Sequence, residues 1–535
     1  MKFRKVVTAS AGSLILAVTG CSGGSAGPSA AQGGGDPSQP AKAGGHLVVA
    51  LSGATDTLDP AFTQSKYSTF MLPNLCEKLY DVDPQLNVIP GLAAALPTVS
   101  ADGLTYTIKL RQGLKFNDGT PFDAAAVKVN MDRFRTNPRS AEAANWTSVK
   151  QVTVVDPNTV TILLSKPDAV LLSVLANRSG MIGSAQQLAK LGDKFGDNPV
   201  CVGPFSFVSR PSADRIELKK SDDYYDKAAV KLDTVTFEVI TQPNVRASNL
   251  RSGDIGAAID VAPADVPQLK GSSNVRIQQP VSLGYQLLTI NVSNSNGAAT
   301  PPFTPVSSPL ANADLRKAFE LTLDREAINK VVFSGLEVPS CNPISPTSPF
   351  YTDVPCSKPD IPKAKELVAR SGKGGTVPVT LMIQAANDQA ARLGTLIQSM
   401  AKPAGFDVKI QATENATSGK KAAAGDYDVY LNSWSGRIDP DQNMRVFWSP
   451  KSAINYSGAD YPDVNALMEK GRTTTDPAAR KEIYAQLVRA ENEHRNYLVL
   501  LHDRLIMGVI SKVQGINYYG DGVIRLKTAG FSSGG

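Results

Sequence analysis

The chain has 535 residues, enough for two or three domain-sized cores, and 42% of them are hydrophobic. Its formal net charge is +6, and three of its cations, Lys2, Arg4 and Lys5, lie at the extreme N-terminus, so the rest of the chain is only weakly basic. A charge this small, without a basic stripe of interleaved aromatic residues, argues against nucleic acid as a partner.

The first twenty residues have the pattern of an export signal. The three cations precede an apolar run from Val6 to Val18, which is shorter than the roughly 18 residues that a membrane span needs. Gly20 then directly precedes Cys21, a junction that resembles the bacterial lipobox, in which the cysteine is acylated. We therefore predict a lipoprotein signal peptide at residues 1–20 and a lipid anchor, palmitate among its acyl chains, on Cys21.

The segment at residues 21–45 is rich in Gly, Ser and Pro and has almost no apolar side chains. Such a segment cannot bury enough surface to repay the entropy of folding, so it is predicted to be a flexible tether. The folded part then begins at about His46. The protein should be held by its lipid, and by nothing else, on the outer face of the cytoplasmic membrane or in the periplasm.

Strand and helix signals alternate along the folded part, which predicts the α/β class. Period-two alternation marks a strand in "LTYTIKL", and the turn at residues 156–158 within "VTVVDPNTVTILL" predicts a hairpin. Helices with one apolar face are predicted after four aspartates, Asp123, Asp324, Asp388 and Asp476, the first two as caps.

Four cysteines besides Cys21 are expected to pair in an oxidising compartment. Cys341 and Cys356 bracket a Pro-rich loop and are the favoured pair, which leaves Cys76 with Cys201 by elimination. Four cysteines allow three connectivities, however, so the sequence leaves the pairing open.

Residue patterns for catalysis or metal binding are scarce. The three histidines, His46, His494 and His502, belong to no metal-ligand or catalytic-triad pattern, so neither a metal nor a cofactor is predicted and the protein is expected not to be an enzyme. Ser418 and Lys421 have the S-x-x-K spacing of penicillin-binding enzymes, although the companion motifs are missing. An enzyme acting on cell-wall peptides through these two residues is the alternative that they leave open.

Several separated strings together resemble the family 5 solute-binding proteins that serve ABC importers of peptides and nickel. They cover nearly the whole folded part, in the order "DTLDPAF", "KFNDGTPFDAAAVK", "VGPFSFVS", "LRKAFELTLDREAINKVVFSG", "DYDVYLNSW" and "TDPAARKEIYAQLVRAE". The resemblance implies a two-lobed, periplasmic-binding-protein-like fold of the Venus-flytrap type (type II, cluster C). Such a protein closes on a peptide or peptide-like solute and hands it to an ABC permease and its ATPase subunits.

The resemblance also implies an organisation of the chain. The first lobe would comprise residues 46–279 with an extra subdomain at about 77–201, the second lobe residues 280–496, and residues 497–535 would return to the first lobe. The lobes would be hinged near Ser282 to Tyr285 and near Tyr497 to His502, and the protein would be a monomer. A ligand-sensing lipoprotein without a transport role would have the same fold, so it is a second alternative.

The family's ligand site falls on the stretch "NSWSGRIDPDQN". Peptide binders of the family carry a carboxylate shortly after the matching tryptophan, Trp434, to pair with the ligand's ammonium group, but here that position is Arg437. A second departure lies after Gln384, where Ala385 replaces an arginine that reads the ligand's carboxylate. The resemblance therefore does not extend to an ordinary dipeptide as the solute, and Arg437 predicts an anionic or acceptor-rich group instead.

Five residues are candidates for ligand contact: Trp434, Arg437, Asp439, Tyr285 and Asp59. Trp434 is predicted to stack on the ligand, and Tyr285 lies at the opposite hinge. Arg437 has a structural alternative, in which it only pairs with Asp439 or Asp441 and stiffens the turn. Two other tryptophans, Trp146 and Trp448, are expected to be packing residues.

Overall fold

The computed structural model describes residues 41–372 and 375–532. The predicted signal peptide, the predicted acylation site Cys21 and nearly all of the predicted tether lie outside these residues. Within them, no helix is both long and apolar enough to cross a membrane.

A seven-stranded mixed sheet organises what we call the first lobe. Its strands lie in the order Val275–Gln278, Met507–Ile510, Ala257–Ala258, His46–Leu51, Thr234–Val239, Arg215–Lys220 and Phe205–Ser212. The central strand His46–Leu51 is parallel to both of its neighbours, and the outer pairs are antiparallel. Because helices and the subdomain cover this strand, it is apolar almost throughout.

A six-stranded mixed sheet organises the second lobe. Its strands lie in the order Val338–Pro339, Tyr497–His502, Tyr285–Ile290, Val429–Trp434, Val377–Gln384 and Phe406–Thr413. The last three are mutually parallel, and Tyr285–Ile290 is antiparallel to both of its neighbours. The parallel strands therefore present their carboxyl ends at one edge of the sheet, where open α/β sheets commonly bind ligands.

A smaller antiparallel sheet organises the subdomain, in the order Thr98–Val99, Thr105–Lys109, Thr159–Leu164 and Val149–Asp156. The predicted hairpin is present, with its turn after Asp156. The disulfide between Cys76 and Cys201 joins the two ends of this part of the chain, and the other pair is Cys341–Cys356. Three minor hairpins pair Tyr80–Val82 with Val88–Pro90, Val513–Gln514 with Gly530–Phe531, and Asn517–Tyr518 with Ile524–Arg525.

The helices cover the sheets and carry polar caps. Their bounds are Lys66–Met71, Ala124–Thr136, Leu171–Leu175, Ala185–Leu191, Pro243–Ser252, Val266–Lys270, Ala313–Glu320, Arg325–Val332, Ile361–Arg370, Asp388–Ala401, Asn415–Ala424, Pro440–Trp448, Pro462–Thr473 and Pro477–His494. Asp123, Asp324 and Asp476 cap their helices through side-chain oxygens. The helix predicted to open at Asp388 is capped instead by the preceding residue, Asn387.

Separate apolar cores lie under the two large sheets. Trp146 packs in the first, parallel to the ring of Phe134, and Trp448 packs in a smaller cluster of the second lobe. Both tryptophans are almost completely buried, as expected of packing residues.

The chain crosses between the lobes twice, and the two crossing segments pair with each other. Ser282 N donates to Asp503 O over 2.8 Å, and Leu505 N donates to Pro280 O over 2.9 Å. The strand Tyr497–His502, which the expected boundary assigned to the first lobe, pairs with Tyr285–Ile290 in the second sheet. The return to the first lobe therefore follows His502, because backbone pairing holds that strand in the second lobe.

Candidate functional site

A cavity of about 570 Å³ lies where the two lobes and the subdomain meet. The first lobe contributes residues between Gln64 and Lys78, the subdomain residues between Ala141 and Arg178, and the second lobe residues between Trp434 and Ser452. Clefts of this size between domains are the usual sites for small solutes, so this cavity is the candidate binding site.

The loop after Trp434 has a fixed backbone. Gly436 has a φ of 76°, and a Cβ there would lie 2.2 Å from the carbonyl carbon of Leu283 in the crossing segment. Asn443 holds the loop from the next helix, because its Oδ1 accepts from Arg437 N (2.6 Å) and from Trp434 Nε1 (3.0 Å). Its Nδ2 also donates to Arg437 O over 2.8 Å. The indole and the guanidinium are thus positioned by the same amide.

The guanidinium of Arg437 lies in the cavity wall without a carboxylate partner. Its Nη1 donates to Ser435 Oγ (3.0 Å) and to Gly436 O (2.6 Å), and its central carbon lies 4.9 Å from the centroid of the Trp434 ring. Among the described residues, no carboxylate oxygen lies within 4.0 Å of this guanidinium. Burial lowers the pKa of Arg437 and the nearby Arg178 acts in the same direction, whereas Glu142, the ion-pair partner of Arg178, acts in the opposite direction.

The aspartates after Arg437 pair with other arginines. Asp439 is 3% exposed, caps the helix Pro440–Trp448 and accepts two hydrogen bonds of 2.9 Å from Arg480. Asp441 pairs with Arg445 (2.9 Å) and with Arg472 (3.4 Å). The structural alternative for Arg437 therefore does not hold in this structure, and Asp439 does not line the cavity because its carboxylate is used for capping and for Arg480.

Two further candidates lie away from the cavity. Tyr285 is 1% exposed, and its hydroxyl donates to the backbone O of Asn443 over 2.7 Å, so it supports the loop from behind. Asp59 is fully buried and accepts two hydrogen bonds from Arg133, at 2.8 and 2.6 Å. Of the five candidates, the structure brings only Trp434 and Arg437 into the cavity wall.

Other charged residues line the cavity, and sequence reasoning missed them. The cations are Lys66, Lys78, Arg178, Arg437, Arg445, Lys451 and Arg472, and the carboxylates are Glu142, Asp441 and Asp521. These residues come from distant parts of the chain and form no local motif, so only the fold brings them together. Most of these cations pair with carboxylates: Lys66 with Asp260, Lys78 with Asp81, Arg178 with Glu142, and Arg445 and Arg472 with Asp441. Arg437 has no such partner among the described residues, so it is the cation available to an anionic group of a solute.

Contacts between the subdomain and the second lobe hold one side of the cavity closed. Arg472 Nη2 lies 2.8 Å from Asp168 Oδ2, and its backbone O accepts from Ala169 N over 2.9 Å. Gln442 Nε2 donates to Asn145 Oδ1 over 3.3 Å. Since these residues lie on different lobes, their contacts depend on lobe closure.

A second cavity of about 390 Å³ lies on the other side of Trp434, at the carboxyl ends of the parallel strands. Its lining is composed of amides, hydroxyls and aromatic rings, namely Gln286, Gln384, Asn387, Gln389, Asn432, Ser433, Tyr430, Tyr456, Trp434 and Phe447, with three aliphatic residues. None of its lining residues is charged. The two cavities therefore differ in electrostatic character and share one indole.

Buried titratable residues lie in and beside the crossing segments. Burial raises the pKa of Asp503 to about 6. Burial also raises the pKa of Glu337 to about 8, and the nearby Asp503 acts in the same direction. His502 lies 2.8 Å from two backbone oxygens, those of Gly284 and Asn342, and burial lowers its pKa. His502 is thus a hydrogen-bonded strand residue beside the lobe junction.

The S-x-x-K pair has no arrangement suited to nucleophilic catalysis. Ser418 is fully buried, with its Oγ 3.3 Å from the hydroxyl of Tyr430, and Lys421 pairs with Asp426 at 2.9 Å. The two side chains thus lie in different surroundings although they share a helix. Elsewhere in residues 41–372 and 375–532, no group of three or more His, Cys, Asp or Glu side chains could hold a metal ion.

Comparison with known proteins identifies relatives along almost the whole folded part. Residues 87–455 match the model of the bacterial extracellular solute-binding proteins, family 5 middle, which is more than half of the chain. A glutathione-binding protein, GsiB of Salmonella paratyphi A, is 29% identical over 458 residues, which cover 84% of this chain and 87% of that protein.

Solved structures have the same fold. The ABC transporter substrate-binding protein CtaP of Listeria monocytogenes aligns with a TM-score of 0.82 at 23% identity, covering 92% of this chain and all of that one. The binding protein AgaA of A. tumefaciens R10, in complex with agropinic acid, aligns with a TM-score of 0.72 at 26% identity, covering 90% of this chain and 96% of that one. The two-lobed α/β architecture is thereby shown.

Proposed function

Because the chain belongs to the bacterial extracellular solute-binding proteins of family 5, we propose that it captures an anionic, peptide-like solute between its lobes and delivers it to an ABC permease. The observation that carries the anionic character is the guanidinium of Arg437, which lies in the cavity wall without a carboxylate within 4.0 Å among the described residues. As a member of this family the protein is a solute-binding protein rather than an enzyme.

The relatives support this class of solute. GsiB is a glutathione-binding protein, and glutathione is a peptide with two carboxylates and one ammonium group. AgaA holds agropinic acid, which by its name is an acid. Glutathione is therefore the first compound to test, as a representative of anionic peptide-like solutes.

The energetics of Arg437 favour an anion as its partner. Burial and Arg178 both lower its pKa, and Glu142, which pairs with Arg178, offsets this only in part. A carboxylate placed against the free edge of the guanidinium would relieve this repulsion and form charge-assisted hydrogen bonds. A ligand ammonium at the same point would add to the repulsion.

Calorimetric titration of the folded part with glutathione tests the proposal. Arg437→Ala should weaken binding by about 2 to 5 kcal/mol, since a desolvated charge on the ligand loses its partner. Arg489→Ala is the matched control, because Arg489 pairs with Glu482 on an exposed helix face and does not line the cavity. If Arg437→Ala binds glutathione and other acidic peptides as tightly as the Arg489→Ala control does, the proposal is refuted.

The anchoring and the transport role are further parts of the proposal. If Cys21 is acylated, Cys21→Ser should move the protein out of the membrane fraction. Continued incorporation of radiolabelled palmitate into this variant would exclude Cys21 as the acylation site. Small-angle scattering should show compaction when a single solute closes the lobes of a monomer. A deletion strain with normal solute uptake would instead favour the ligand-sensing alternative.

A further inference from the structure

The indole of Trp434 lines both cavities, the one between the lobes and the one at the carboxyl ends of the parallel strands. On one side it contacts the guanidinium of Arg437, which lines the first cavity. On the other side its ring centroid lies 5.5 Å from that of Phe447, at 79°, and Phe447 lines the second cavity. A solute that extends over the indole would therefore meet both cavities.

The second cavity offers hydrogen bonds but no charge. Asn432 Oδ1 accepts from Thr289 (3.3 Å) and Gln384 Oε1 accepts from Asn387 (3.4 Å). Within the described residues, Asn432 Nδ2 and Gln384 Nε2 have no hydrogen-bond partner, so each remains able to donate to a solute. Tyr430, Tyr456 and Phe447 add aromatic surface to the same cavity.

A charged group would be poorly stabilised there. The carboxylate of Asp503 accepts from Nε2 of the lining residue Gln286 over 2.8 Å but does not itself line the cavity. Ala385, which lies between Gln384 and Asn387, supplies no cation where the strand ends. Because an unpaired charge is costly to remove from water, the cavity favours an uncharged segment.

We infer that the solute has two unlike ends, an anionic group beside Arg437 and an uncharged segment, rich in amides or hydroxyls, that passes Trp434 into the second cavity. This inference rests on the proposed function and narrows its solute class. It selects N-acylated peptides and sugar acids over peptides with a free amino terminus, because an ammonium group has no carboxylate to meet in the second cavity.

Triglycine and N-acetyltriglycine form a matched pair that differs at one ammonium group, and each carries a single carboxylate at the opposite end. In calorimetric titrations, the wild-type protein should bind N-acetyltriglycine at least tenfold more tightly. Gln384→Glu adds a carboxylate of nearly the same shape, so this variant should bind triglycine the more tightly of the two. Asn432→Asp makes the same change at a different position and serves if the first variant does not fold.

Lactobionate, a sugar acid, is the second probe and distinguishes hydroxyls from amides as the uncharged segment. Tighter binding of lactobionate than of lactose would support the inference for a sugar acid, even if neither tripeptide binds. A wild-type preference for triglycine over N-acetyltriglycine, with the ratio of the two affinities unchanged in Gln384→Glu and Asn432→Asp, would overturn it. So would the failure of all these acids to bind at millimolar concentration.

The variant Arg437→Ala separates failure of this inference from failure of the proposed function. If it weakens glutathione binding while the preference between the tripeptides is absent or reversed, the anionic site stands and only the uncharged segment is wrong. If it leaves the affinity for every acid unchanged, the proposed function fails as well.

Discussion

The loop Ser435–Ile438 and the helix Pro440–Trp448 are neighbours in sequence but differ in how they hold charge. In the helix and its cap, Asp439 and Asp441 each pair with arginines, and those ion pairs are buried. In the loop, Arg437 donates to the neutral acceptors Ser435 Oγ and Gly436 O and contacts the indole of Trp434, and it forms no ion pair with another described residue. The comparison suggests that charges paired within the protein stabilise it, whereas an unpaired charge in a cavity wall is available to a ligand.

The largest expected effect is on the paired side. Arg480→Ala would leave Asp439 buried without its cation, so we expect the free energy of unfolding to fall by about 3 to 5 kcal/mol. Denaturant unfolding measures this change, and a double-mutant cycle with Asp439→Asn isolates the pair. A loss under about 1 kcal/mol would mean that the pairing of the helix charges matters no more than that of surface ion pairs.

Glu337 and Asp503 extend the comparison to a third kind of charge, because they are buried carboxylates that form no ion pair within 4.0 Å among the described residues. Burial raises the pKa of Glu337 to about 8, well above its ordinary value, so its contribution to stability is present at acid pH and is lost as pH rises through about 8. Between roughly pH 4.5 and 8, wild-type stability should therefore decline relative to Glu337→Gln, by on the order of a few kcal/mol. Thermal melts across that range measure the slope.

Parallel slopes in the two proteins would show that Glu337 ionises in the folded state with its ordinary pKa. Asp503→Asn should also make the loss of stability between roughly pH 4.5 and 8 smaller than in the wild type, because Asp503 is one of the causes of the raised pKa of Glu337. Arg489→Ala, on an exposed helix face, is a suitable control and should leave the slope unchanged.

The sequence predicts the fold class, the hairpin at residues 156–158 and the two caps Asp123 and Asp324 correctly, because these depend on local patterns. It predicts the site less well. Asp59, Asp439 and Tyr285 are polar residues near family motifs. Only the tertiary structure shows that each already forms hydrogen bonds within the protein, Asp59 with Arg133, Asp439 with Arg480 and Tyr285 with Asn443 O. The cavity cations Lys78, Arg178 and Arg472 are brought together from positions far apart in sequence. The strand Tyr497–His502 was placed in the wrong lobe because an apolar strand does not reveal which sheet it joins.

The ion pair between Arg472 and Asp168 joins the second lobe to the subdomain, so it tests whether a charge pair can serve ligand binding rather than stability. Asp168→Asn removes the charge that Arg472 meets on the subdomain, while Asp441 still contacts the same guanidinium. We expect solute affinity to weaken by about 1 to 3 kcal/mol, with a smaller change in thermal stability, because the lost contact forms on closure. Titration calorimetry measures the solute affinity, and thermal melts of the solute-free protein measure the stability. Unchanged affinity would mean that this ion pair does not contribute to closure.

The smallest expected effect is on the stability of Arg437→Ala, and it tests the comparison most directly. The substitution removes the hydrogen bonds to Ser435 and Gly436 and the contact with Trp434, but it also removes a buried cation that Arg178 repels. These contributions have opposite signs, so the free energy of unfolding should change by less than about 1 kcal/mol. Asn443 binds the loop through its backbone and should keep it in place. Thermal melts of the solute-free protein measure the change, and Arg480→Ala provides the contrast. A loss as large as that of Arg480→Ala would make Arg437 a structural residue, whereas a stable variant that no longer binds the solute would show that this charge is kept for the ligand.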